Sequence, residues 1–366
     1  MRLQQLREHR ERSRKVKRKE KRLRQGALRL ARQRDALRRG INFDRDMARE
    51  QIVLPPIFSF WDNYDETVAV ILSIREHGLR RNRRVLLHFT QVEVIDPAAA
   101  LVLVAEIFRV RNLRSYDTVT GSYPRSRFIY ELLREMGFYE LLDIQERRDL
   151  PEAELDPGRP VFLRFSSSNR VDSELVDRLV SVVEQHLFKM NEIARGRLVA
   201  AIIEAMNNTL DHAHPIKIAN ETMPNRWWIS ASVDLVEREV MVMLFDQGVG
   251  IPATLEPTTY ERIRARLRGA ITLKSIASEP SDGEMILAAT ELHRTGTGRE
   301  GRGRGFRNMK QFVDVCADGE LRVLSNRGRY SYMREAEAFD DETESIGGTV
   351  IEWRFRHEGT VDLKDD

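Results

Sequence analysis

Hydrophobic positions along the chain fall into runs of two periods, and the switches between them predict an order of elements. VLLHF (85–89) is a short continuous apolar run and VEVID (92–96) alternates before a turn at Pro97; both predict strands. PAAALVLVAEIFRVRN follows with Pro in its first turn and a wide apolar face, which predicts a helix. A second helix is expected over 126–144, where Ile129, Leu132, Leu133 and Met136 form a stripe that Gly137 stops. RRDLPEAELDPGRP (147–160), with three prolines and charges of both signs, reads as a linker. Beyond it VFLRF (161–165) predicts a strand, and 171–188 and 190–213 predict amphipathic helices. Residues 227–233 and 239–245 predict a hairpin; EVMVMLF, apolar on both faces, suits a covered central strand. ELRVLS (320–325) and TVIEWRF (349–355) are expected to complete the sheet. The stretch 253–300 has helical patches broken by SEPSDG and TGTGREGRG, and reads as a mobile insertion that closes over a ligand.

Length and composition narrow the picture. A chain of 366 residues, 41% hydrophobic, is long enough for about two globular domains. No apolar run reaches the roughly 18–20 residues of a membrane span, and no signal-peptide core opens the chain, so a cytoplasmic protein without membrane contact is expected. The single cysteine, Cys316, excludes an intramolecular disulfide and a Cys-based zinc site; a small buried residue of helix 305–316 is its expected role. A net charge of +3 conceals an asymmetry. Residues 1–40 carry 17 Lys and Arg against Glu8, Glu11, Glu20 and Asp35, a net +13, so the remainder carries −10. This basic arm is rich in helix formers but keeps no heptad and holds no aromatic residue for base stacking. It offers charge to nucleic acid or an acidic partner; a solvated or self-packing tail accounts for it as well.

Four segments then carry candidate chemistry. In EAMNNTLDH, Glu204, Asn208 and His212 are spaced i, i+4, i+8 and stack along one side of a helix, while Leu198, Ala201, Ile202, Ala205 and Thr209 can face the sheet. A carboxamide oxygen suits magnesium, and an acid one turn away can take a proton from an attacking water or hydroxyl. An ordinary polar helix face accounts equally for the spacing. In DQGVG, Asp246 ends an apolar strand; an ionised carboxylate only accepts hydrogen bonds and so matches the exocyclic amino group of adenine. Gly248 and Gly250 let the backbone turn and approach a flat base, although a strand-to-loop Asx turn needs the same residues. In GRGRGF, Gly301, Gly303 and Gly305 open a helix whose free amides and dipole attract phosphate, with Arg299, Arg302 and Arg304 adding positive charge. GGT, ending in Thr349, precedes the last strand.

In this order the segments resemble the N, G1, G2 and G3 boxes of the GHKL ATPase/kinase superfamily, over about residues 160–357. The resemblance implies ATP and magnesium as cofactors and a Bergerat-type α/β sandwich, a mixed sheet with helices on one face. It implies magnesium on Asn208, adenine on Asp246, the base-side loop at Gly248 and Gly250, phosphates at Gly303 and Gly305, and Thr349 in the floor of the site. Glu204 is similar to the general-base acid of chaperone and gyrase ATPases. It is equally similar to the acid of bacterial anti-sigma serine kinases, in which a His follows the Asn as His212 does here. The front segment LLHFTQVEVIDPAAALVLVAE resembles the STAS domain of anti-anti-sigma factors, with Ala98 at the phosphoacceptor position. A degenerate STAS-like domain of that kind cannot be switched by phosphorylation there.

The expected architecture is α+β: a basic helical arm (1–45), a STAS-like α/β domain (46–146), a linker (147–160), an ATP-binding domain (161–358) with a lid (253–300), and a tail (359–366). No transducer segment follows TVIEWRF, and His77 in REHGLRR lies before a strand rather than in a helical hairpin, so gyrase-type and histidine-autokinase outputs are not expected. The expected activity is that of a slow ATPase or nucleotide-driven switch acting through the lid on a STAS-like or co-encoded protein partner. The alternatives are a serine/threonine kinase of the anti-sigma type and a non-catalytic ATP-regulated module whose arm contacts nucleic acid. A homodimer is left open.

Overall fold

The computed structural model describes residues 49–146, 160–213, 225–255, 260, 280–291, 305–334 and 336–356. The arm 1–45, the linker apart from Pro160, most of the lid and the tail 359–366 lie outside them. The chain divides into two compact units, Met1–Glu50 and Gln51–Asp366. Of the first unit only Arg49 and Glu50 are described. The second is mixed α+β, and no helix among the described residues is long and apolar enough to cross a membrane.

The front part opens with β1 (Glu50–Val53) and β2 (Ile57–Phe58), then helix α1 (Tyr64–Ser73), which runs into a π-helical turn over Ile74–Arg80. Strands β3 (Val85–His88) and β4 (Val94–Ile95) lead to α2 (Pro97–Leu113), and β5 (Val119–Gly121) precedes α3 (Arg127–Glu135) and α4 (Phe138–Leu141). β3 pairs in parallel with β5, and β2 with β4. Asp96 caps α2, its carboxylate accepting from the Ala98 amide at 3.4 Å, with Pro97 in the first turn where a missing N–H costs nothing. The Ser126 hydroxyl caps α3, and Gly137, at φ +80°, makes the left-handed break before α4. From Ala98 to Ile107 every residue of α2 is buried. A helix apolar all round must be covered all round: α1, the π-helical turn and β5 cover one side and strands of the second half the other.

That half is built on β6 (Val161–Ser168), α5 (Ser173–His186), α6 (Glu192–His212), β7 (Trp227–Asp234), β8 (Glu239–Asp246) and a short α7 (Ile251–Thr254). It ends with α8 (Asp282–Thr290), α9 (Gly305–Asp314), β9 (Asp318–Ser325), β10 (Gly328–Met333), β11 (Ala336–Asp341) and β12 (Thr349–Arg356). Seven strands form one sheet in the order β11-β10-β9-β12-β8-β7-β6. Period-two alternation assigns its faces. Trp227, Ile229, Val240, Val242, Ile351 and Trp353 pack with α5, α6 and α9, whereas Trp228, Met243, Phe245, Leu324 and Val350 belong to the core of the front part. Phe108 of α2 meets Trp228 edge-on, ring centroids 5.0 Å apart. The Phe165 amide donates to the Met136 carbonyl at 2.9 Å, tying β6 to the end of α3.

Three expectations need correction. The sheet is antiparallel at every pairing rather than mixed, because tight turns join β7 to β8 and β9 through β10 to β11. Within 161–358 α5, α6 and α9 pack on one face of the sheet, and α2 of the front part covers the other. ELRVLS and TVIEWRF do not complete the sheet: β10 and β11 extend it beyond β9. Their signal is weak because β11 is a largely exposed edge strand carrying Glu337, Asp340 and Asp341, as edge strands do. Within the expected lid, 281–291 is docked structure. Ser281 and Glu284 form a capping box, and the Gly283 amide donates to Asp341 Oδ1 at 2.7 Å. Cys316 is half-buried just past α9, its Sγ donating to the Phe312 carbonyl at 3.2 Å.

Candidate functional site

α6 supplies two of the candidate residues. Asn191 caps the helix by accepting from the Ala194 amide at 2.7 Å, and Leu198, Ala201, Ile202, Ala205 and Thr209 are buried against the sheet and neighbouring helices as their spacing predicts. That orientation leaves Glu204 and Asn208 half-buried, and His212 exposed at the last turn. Across from them α9 begins. A side-chain carbon added at Gly305 would stand 2.9 Å from Glu204 Oε1 and 3.0 Å from Asn208 Nδ2. A Cβ there would push the ends of both side chains aside, so the glycine leaves them room at the start of α9. Partial burial holds the Glu204 carboxyl above the usual range; Asp211 adds to the shift and His212 opposes it. Gly301, Gly303, Arg302 and Arg304, with Arg299, lie outside the described residues.

The other half is formed where β8 and β12 meet. Asp246 ends β8 and pairs in register with Thr349, the first residue of β12, which in turn pairs with Ser325. Both Asp246 and Thr349 are buried. The Asp246 carboxylate turns back to accept from the Gly248 amide at 2.8 Å, and burial pushes it up to about 7 against that bond. Gly248 lies against the end of α6: a Cβ there would collide with the Ala213 backbone and side chain, while the Val249 amide donates to the Ala213 carbonyl at 2.8 Å. Gly250, at φ +82°, faces the Asn326 side chain.

Residues that pattern alone misses stitch these loops together. Ser325 Oγ accepts from the Ile251 amide at 2.8 Å and lies 2.9 Å from Thr349 Oγ1. Asn326 donates from Nδ2 to the Val249 carbonyl at 2.9 Å. Gly348, at φ +132°, sits so close over the Asp246 carbonyl that no Cβ fits. The paired glycines before Thr349 signal that approach; nothing local signals Ser325 or Asn326. The structure thus brings Glu204 and Asn208 to Gly305, and Asp246, Gly248, Gly250 and Thr349 to one another, with Ala213 of the α6 end linking the two groups.

The arrangement offers a neutral oxygen ligand, a half-buried carboxylate with raised proton affinity, a helix N-terminus and a buried carboxyl. Among the described residues no three His, Cys, Asp or Glu side chains cluster as a metal site. No protein-family model matches this sequence, and no curated protein is similar to it.

Proposed function

We propose that the chain binds magnesium–ATP between α6, α9 and the β8–β12 end, and hydrolyses it slowly as a GHKL-type ATPase or nucleotide-driven switch that signals to a protein partner. The observation that carries this reading is Gly305: a glycine at a helix start, within contact of an acid and an amide one turn apart on the facing helix. A structural helix pair gains nothing from placing a helix start against those two side chains, whereas a phosphate–metal site needs all three.

The donor set fits the ligand. Asn208 would offer its carboxamide oxygen to magnesium, the 301–305 backbone would hold phosphate oxygens, and Asp246 would accept from the adenine amino group, with Gly248, Gly250 and Thr349 framing the base. Bound magnesium would neutralise phosphate charge as the terminal group leaves. Glu204 orients the attacking water and takes its proton, a role that a raised proton affinity favours. The front part is excluded as a phosphoacceptor at the STAS position, because Ala98 has no hydroxyl and is fully buried.

ADP release from magnesium–ATP tests the reading. Glu204→Ala is expected to lower turnover by about 100-fold or more with nucleotide binding retained, and Asn208→Ala to weaken magnesium-dependent binding. Undiminished turnover in Glu204→Ala removes that residue from the mechanism. Label passing from ATP to a STAS-like protein, with little free phosphate, would favour the anti-sigma kinase reading instead.

A further inference from the structure

Glu106 lies mid-way along α2 with no solvent exposure, a place where a lone carboxylate is costly. Arg109, one turn on, donates to both of its oxygens at 2.6 and 2.5 Å, and Arg75 from the π-helical turn reaches Oε2 at 3.3 Å. Burial opposes the charge, yet Arg109 and Arg75 hold the carboxyl below the usual range, so it is an anion. The same groups reach out of the front part. Arg75 donates to the Ile346 carbonyl at 3.1 Å, and its guanidinium fills the space beside Gly347, which at φ +69° has no Cβ to obstruct it. Gln247, only 2% exposed, donates from Nε2 to Glu106 Oε2 at 3.4 Å. Gln247 follows Asp246, and Ile346–Gly348 precedes Thr349. One buried carboxylate and its arginine therefore hold both loops at the β8–β12 end. Apolar residues could fill this volume at equal or better stability; what the charged cluster adds is direction at two specific backbones.

We propose that Glu106 and Arg75 are positioning residues for nucleotide binding. Through Gln247 and the Ile346–Gly347 backbone they hold Asp246 and Thr349 in place for the base, so that the front part of the chain sets nucleotide affinity. The role rests on the nucleotide reading above. It predicts a split between affinity and turnover, since Glu204 and Gly305 are not touched by the cluster.

The test uses the full chain, a fluorescent trinitrophenyl-ATP with magnesium, and the variants Glu106→Gln and Arg75→Lys. Val180→Ala, fully buried in the α5–α6 core, is the control for general destabilisation. The two cluster variants are expected to bind the probe roughly tenfold more weakly, with kcat at saturating ATP within about twofold of wild type; the control should bind normally. Hydrogen exchange without nucleotide, followed at 247–250 and 346–349, should accelerate in the cluster variants and not in the control. Wild-type affinity in both cluster variants, or an equal loss in Val180→Ala, overturns the proposal. If wild type itself fails to bind the probe, the nucleotide reading fails. Exchange then decides the remainder: faster exchange confined to the two loops keeps the loop-holding role, and unchanged exchange removes it.

Discussion

Asp246 is a buried acid at the end of a central strand, and its charge state governs what it can hold. Burial pushes it up to about 7, while the Gly248 amide pulls the other way. The folded carboxyl therefore ionises above its ordinary value, and the form that accepts from an adenine amino group dominates only above about pH 7. Nucleotide affinity should rise with pH up to that point and level off beyond it, weakening by up to about tenfold per pH unit below. Asp246→Asn should bind more weakly and lose this dependence. Comparing the two proteins cancels titration of the nucleotide phosphates. A wild-type profile that parallels the Asn variant between about pH 5.5 and 8.5 would show that Asp246 does not meet the base. Glu204 and Asn208 are legible in the sequence because a helix fixes what lies one turn apart. Gln247 is not: it stands beside a recognisable glycine, yet its partner Glu106 is 141 positions away, a relation no local pattern encodes.

At the scale of elements, α9 links the candidate site to α8. Its first residue touches Glu204 and Asn208, and five residues on Lys310 is almost fully buried. The ammonium donates to Thr290 Oγ1 at 3.1 Å and Glu337 Oε1 at 2.9 Å, lies 3.7 Å from Glu291, and stands over the Tyr332 ring at 4.8 Å. One cation thus pins the end of α8, the edge strand β11 and α9 together. Lys310→Met keeps the stem and removes the charge, which should cost about 2 kcal/mol locally. The expected result is faster hydrogen exchange over 281–291, with the β7–β8 hairpin unaffected. Equal exchange in the two proteins would mean that the capping box and the Asp341 contacts anchor α8 without Lys310. The long periodic helices and the covered strands are readable from pattern because burial enforces their periods. β10, β11 and the docked part of 253–300 escape it, since a short strand, the polar edge strand beside it and a short helix draw their order from contacts such as Lys310–Glu337 rather than from a strong period of their own.

In the unit Gln51–Asp366, the front part and the seven-stranded sheet share one core. Phe58, Val68 and Leu101 belong to the same buried cluster as Trp228, Phe245 and Val350. Two parts with a common core cannot unfold separately without exposing that apolar surface, so denaturation should follow one cooperative transition rather than two. A polar seam runs through the contact. Glu352 is fully buried and Asp96 half-buried, and burial holds each above the usual carboxylate range. Glu352 also feels the Asp96 charge, with Arg354 and Arg322 opposing, and it accepts from Trp61 Nε1 at 3.3 Å; Asp62 raises Asp96 while Arg354 lowers it. Raised acids keep their protons in the folded chain at pH values where the unfolded chain has lost them. Their contribution is complete below the ordinary carboxylate range and is lost as pH rises through the raised values. The urea midpoint should therefore fall from about pH 4 to about pH 8, with Asp246 adding to the same slope. Glu352→Gln removes one of these ionisations while keeping the side chain's shape and its acceptor for Trp61, and should flatten the fall. A Glu352→Gln slope as steep as wild type would mean that the seam takes no part. Two separate transitions in urea would show instead that the shared core does not couple the two parts.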